Sequence, residues 1–143
     1  MKRSYEDKYR EKESAVKRRA SAVKFAKAII AVRGIEESHK KELLGVCVWK
    51  TTVANGKFNL RYVSKDVLKG LKPIEHEHVT PRKELVRQML QNPKKVEKIL
   101  GGAVACLVTN TEHKKLPKTG TGWKRYREEK ILVYDRLTKR WLW

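Results

Sequence analysis

The stretch Ala103-Val104-Ala105-Cys106-Leu107-Val108-Thr109-Asn110-Thr111-Glu112-His113 decides how this chain folds. Its first part is short, apolar and partly β-branched, the composition of a buried strand. Thr109-x-x-Glu112 then has the form of a capping box, which places His113 just inside a following helix. Upstream, Glu77-His78-Val79-Thr80-Pro81 sets an acidic residue and a histidine at a strand exit. Thr80-Pro81 supplies an N-cap and a first helical position for a helix to about Gln91. Asn92-Pro93 repeats the device and opens a second short helix that ends at Gly101-Gly102. The order is therefore strand, two short helices, strand, helix.

Working outward, Tyr5 to Arg33 reads as one long helix with Ser4 as N-cap and Gly34 at its end. Val16, Ala20, Val23 and Ile30, widened by Ala26 and Ile29, form its apolar stripe. That stripe serves either the core or a second copy of the chain, which makes a homodimer through the N-terminal helix an expected option. The charged turns before it read as a basic arm. A short helix over about Glu36–Leu44 is followed by an expected hairpin, Val46–Trp49 against Phe58–Val63, turning at Asn55-Gly56. Trp123 to Trp143 reads as a further strand pair, Ile131–Tyr134 and Arg140–Trp143, with a turn near Asp135 to Lys139. The fold class expected is α+β: a long N-terminal helix, a hairpin, a strand–strand–helix core interrupted by short helices, and a C-terminal strand pair. Residues 1–34 form the helical arm and 35–143 a single domain.

Composition bounds the function. Among 143 residues, 35 are Lys or Arg and 16 are Asp or Glu, a net charge of +19. An excess of that size points to nucleic acid or another anionic surface. No apolar run approaches the roughly 18–20 residues of a membrane span. The N-terminus mixes charges of both signs, unlike a secretory signal, so a cytoplasmic protein is expected. Cys47 and Cys106 each sit in an apolar segment, as buried reduced thiols do, and neither belongs to a Cys-x-x-Cys pair.

Phosphodiester hydrolysis needs a base to deprotonate water and a cation to neutralise charge on the phosphate and the leaving oxygen. A histidine with an ordinary pKa near 6.5 suits the first task. A carboxylate and a neutral imidazole suit the second, holding Mg²⁺ first of all, or Mn²⁺, Ni²⁺ or Zn²⁺. On this reading His78 is the base, and Glu77 and His113 are the ligands. His76, two residues before His78 on the same strand face, is a third ligand, a supporting group, or simply a half-exposed strand histidine. Arg82, Lys83, Lys114 and Lys115 flank the two segments and are placed to hold a nucleic-acid strand. Lys124 and Arg125 lie among Trp123, Tyr126, Tyr134, Trp141 and Trp143, an interleaving that suits bases as well as core packing.

Glu77-His78-Val79-Thr80-Pro81 with Leu107-Val108-Thr109-Asn110-Thr111-Glu112-His113-Lys114-Lys115 resembles the HNH endonucleases of the ββα-metal fold, in versions that lack zinc-binding cysteines. The resemblance spans residues 74–118. It implies Glu77 and His113 as metal ligands, His78 as general base, and DNA as substrate in preference to RNA. Two features depart from the family. Its usual asparagine at the start of the second strand, which orients the base, has no counterpart in Ala103–Val108. Two short helices also replace the usual loop. Two other readings compete: a non-catalytic basic nucleic-acid-binding protein with a degenerate site, and a small basic protein that inhibits an acidic partner.

Overall fold

The computed structural model describes Tyr5 and residues 9–143. Helix α1 spans Glu13–Ala31 and α2 spans Glu37–Thr52. Strand β1, Tyr62–Ser64, leads into α3, Lys65–Leu68. Strand β2, Ile74–His78, is followed by α4, Arg82–Gln91, a 3-10 turn at Pro93–Lys95, and α5, Val96–Gly101. Strand β3, Ala105–Thr109, runs into α6, Asn110–Lys115. Helix α7, Lys124–Glu128, precedes β4, Val133–Asp135, and β5, Arg140–Trp141. The fold is α+β, with the strands in one sheet of order β2-β3-β1-β4-β5.

β3 is buried along its whole length and lies inside the sheet, antiparallel to β2 and parallel to β1. Cys106 and Val108 pack on one face with Val79, Leu116, Tyr126, Ile131 and Val133. Ala105 and Leu107 pack on the other with Leu60, Val63 and Val67. A third cluster lies among the helices, where Ala26 and Ile29 of α1 meet Leu44, Cys47 and Val48 of α2, Leu85, Val86 and Met89 of α4, and Leu100 of α5. Both cysteines are free and buried, and burial raises the Cys106 thiol pKa well above its usual value. Among the described residues no helix is long and apolar enough to cross a membrane.

The N-terminal helix departs from its expected bounds. Ser4, the expected N-cap, lies outside the described residues. The helix starts at Glu13 because Lys12 is extended and its N–H donates to Asn55 Oδ1 at 2.8 Å. Asn55 Nδ2 donates back to the Arg10 carbonyl at 3.0 Å, so the described residues before α1 are tied to the turn after α2. The buried face of α1 is Ala15, Ala22, Ala26 and Ile29, which shares Ala26 and Ile29 with the expected stripe; Val16 is exposed, and Val23 and Ile30 pack at the edge of the core. This helix is built into the helical layer and is not a separate arm.

The expected hairpin is also replaced. Val46–Trp49 continues α2, whose Leu44, Cys47, Val48, Thr51 and Thr52 face inward at helical spacing. Asn55-Gly56 lies in the turn after that helix instead of joining two strands, with Gly56 at φ 107°. Of Phe58–Val63 only Tyr62 and Val63 enter the sheet, and their partners are β3 and β4. A C-terminal strand pair forms, but the start of the span expected to hold it, Lys124–Glu128, is helical.

Candidate metal and nucleic-acid site

The antiparallel register sets Glu77 opposite Cys106 and His78 opposite Ala105. Side chains alternate along a strand, so Glu75 and Glu77 share the Cys106 face, and His76 and His78 share the Ala105 face. β2 is an edge strand, and a groove of about 1010 Å³ passes along it, lined from both faces. Glu75, Glu77, Asn110 and His113 border it on one side, and Trp49, His76 and His78 on the other.

The capping box brings His113 to Glu77. Thr109 Oγ1 accepts from the Glu112 N–H at 3.2 Å, and Glu112 Oε2 accepts from the Thr109 N–H at 2.8 Å. Glu112 is buried and also accepts from Ser64 Oγ at 2.6 Å, which fixes the start of α6 against β1. One residue on, His113 Nδ1 is in hydrogen-bonding contact with Glu77 Oε2. Asn110 Nδ2 donates to Glu75 Oε1 at 3.0 Å, a second tie between α6 and β2.

Arg125 completes this side from beneath. It is 3% exposed and donates to the His78 and Val79 carbonyls at 3.0 and 2.8 Å, and to the Pro117 carbonyl. Its Nη2 lies 3.4 Å from Glu77 Oε1. Expected as a nucleic-acid contact, Arg125 is instead an internal clamp that orients the Glu77 carboxylate and secures the strand exit.

On the other side His78 is 8% exposed, with Nε2 2.9 Å from Thr52 Oγ1 of α2. Burial, reinforced by His76 and Arg82, lowers its pKa to about 3, so the ring is neutral at physiological pH. His76 Nε2 lies 3.1 Å from the same hydroxyl, and His76 Nδ1 is 2.7 Å from the Lys57 carbonyl. Trp49 covers both rings, with centroids 4.9 Å from His76 and 6.0 Å from His78. His76 therefore faces α2 and not the Glu77–His113 pair, which argues against its being a third ligand.

Arg82, Lys83 and Lys114 line the groove as expected, joined by Lys118. Lys115 and Lys124 are exposed but are not among the lining residues; Lys124 sits 3.7 Å from Glu128. Trp123 and Tyr126 serve packing, stacking edge to face with each other, and Trp123 also with Tyr62 and Trp143. Thr52 and Lys118 were not singled out from the sequence, and Trp49 was expected on a hairpin strand. Thr52 and Trp49 lie on a helix read as partly strand, and nothing local marks them.

Glu77 and His113 are an oxygen and a nitrogen donor in mutual contact; because the carboxylate accepts, His113 Nδ1 carries the shared proton, which a cation bound between them would have to displace. Among the described residues no group of three or more His, Cys, Asp or Glu side chains is placed to hold a metal ion, so protein ligation here would rest on this pair. No family of known proteins matches the chain, and neither curated proteins nor solved structures give a match.

Proposed function

We propose that this chain is a metal-dependent endonuclease that hydrolyses phosphodiester bonds of DNA in the groove along β2. The observation that carries this reading is the contact of Glu77 with His113. These residues are 36 apart in sequence, yet an antiparallel strand pair and the helix that follows it bring them together. Glu77 and His113 would hold one divalent cation, Mg²⁺ first among the candidates, which would neutralise charge developing on the phosphate and the leaving oxygen. His78 borders the same groove from the α2 face of β2, opposite the Glu77–His113 pair. On this reading it takes the proton of the attacking water, with a pKa that burial holds far below the value near 6.5 that suits a base. Arg125 fixes the carboxylate, and Arg82, Lys83, Lys114 and Lys118 hold the strand being cut.

Supercoiled plasmid incubated with Mg²⁺ or Mn²⁺, beside an EDTA control, tests this. Nicking or linearisation that requires metal is the expected result. Glu77→Ala and His113→Ala abolish it, and His78→Ala lowers it by roughly a hundredfold or more while DNA binding persists. DNA that is retarded but intact, alike with EDTA and in all three variants, would replace the enzyme with a non-catalytic binding module.

A further inference from the structure

The Thr52 hydroxyl stands between two histidine nitrogens, and its single proton cannot serve both. His76 Nε2 is 3.1 Å away and His78 Nε2 is 2.9 Å away. The ambiguity is resolved one residue further out. His76 Nδ1 lies 2.7 Å from the Lys57 carbonyl, which can only accept, so His76 carries its proton on Nδ1. A neutral His76 then has a lone pair on Nε2 and takes the hydroxyl proton from Thr52. The Trp49 carbonyl, 3.2 Å from the same oxygen, is the weaker claimant, because giving it the proton would set the His76 and Thr52 lone pairs against each other. With its proton directed at His76, Thr52 can only accept from His78. His78 must therefore donate from Nε2.

We propose that Thr52 and His76 are positioning residues that lock His78 in the Nε2–H tautomer, so that Nδ1 is its basic nitrogen. The hydrogen bonds run in one direction: His78 Nε2–H to Thr52, Thr52 O–H to His76, His76 Nδ1–H to the Lys57 carbonyl. A base histidine needs its second nitrogen held, since a ring free to flip spends part of its time with the proton on the wrong atom. The asparagine that does this in HNH enzymes has no counterpart in β3, and α2 supplies a hydroxyl in its place. Trp49, packed at a tilt against both rings, restricts their rotation. The catalytic side of this inference rests on the nuclease reading; the tautomer does not.

The first measurement is ¹⁵N NMR of the full, metal-free chain labelled at histidine, at about pH 8, where a histidine of ordinary pKa is neutral. Expected are an unprotonated Nδ1 and a protonated Nε2 for His78, with the reverse for His76. Thr52→Val, which keeps shape and removes the hydroxyl, should give His78 a mixture of tautomers, and Thr52→Ser should restore the single form. A protonated Nδ1 on His78 in the wild type, or a tautomer indifferent to Thr52→Val, would overturn the proposal. Plasmid cleavage supplies the second readout. Thr52→Val should lower kcat by roughly tenfold or more with KM unchanged, as for a catalytic histidine released to the wrong tautomer, and Thr52→Ser should recover it. A chain that shows the expected tautomers but never cuts DNA refutes the nuclease reading and leaves the hydrogen-bond assignment standing.

Discussion

Asp135, the last residue of β4, is tied through one carboxylate to Arg61, the residue before β1. Its Oδ2 accepts from Arg61 Nη2 at 2.6 Å, and Oδ1 accepts from Arg61 Nε at 2.8 Å and from the Leu137 N–H at 2.9 Å. The Arg61 guanidinium, ahead of the backbone donor, lowers its pKa from 3.8 to about 2. A carboxylate depressed in the folded state stabilises it above the unfolded pKa and loses that contribution as pH falls through the folded one. Asp135 thus contributes at neutral pH, and the contribution fades between about pH 4 and pH 2. Asp135→Asn should cost about 1–2 kcal/mol at neutral pH, once solvent screening of the half-exposed Arg61 is allowed for, and should flatten stability across that window. Urea midpoints at several pH values read both effects, and an unchanged acid slope in the variant would remove Asp135 from the account. What a single residue discloses in sequence depends on how local its partners are. Glu112 was legible because a capping box is closed within four residues. Arg125 was misread because its neighbours in sequence are basic and aromatic, whereas its partners, Glu77, His78, Val79 and Pro117, come from other elements.

At the scale of elements, a pattern that belongs to one period is legible in sequence, and one that fits two is not. β3 is uniformly apolar and short, and α4 opens on Thr80-Pro81, so each was placed to within a few residues. Val46-Cys47-Val48-Trp49 is β-branched and aromatic, which suggests a strand, yet Leu44, Cys47, Val48, Thr51 and Thr52 repeat at three and four. Packing against α1 and α4 chose the helix. The inward face of α1 is mostly alanine, so the expected stripe of larger side chains shares only Ala26 and Ile29 with it. A helix that survives such composition through packing should gain from better local propensity. Gly45 lies inside α2, and a Cβ built there meets nothing within 4 Å. Gly45→Ala should therefore stabilise the protein by about 0.5–1 kcal/mol, through a less flexible unfolded chain and a better helix former. Thermal melting checks it; a lower Tm would mean that α2 is strained at this position.

For the whole molecule, the question is whether its charge acts at the groove or everywhere. The net +19 alone foretells affinity for a polyanion but not where it binds. Arg82, Lys83, Lys114 and Lys118 line the groove along β2, while Lys17, Arg18, Lys24 and Lys27 are exposed on α1 and offer a second basic face. Each phosphate neutralised adds about −0.9 to the slope of log affinity against log salt on duplex DNA. If the duplex lies in the groove, those four cations should account for about −4 of the slope, and replacing all four with glutamine should remove nearly that much. Replacing the four α1 cations in the same way should leave the slope within about one unit of the wild type. Fluorescence anisotropy with a short duplex, in EDTA so that no strand is cut, measures both variants against the parent. The reverse pattern, with α1 carrying the slope, would put the DNA away from Glu77 and His113 and detach binding from the proposed chemistry.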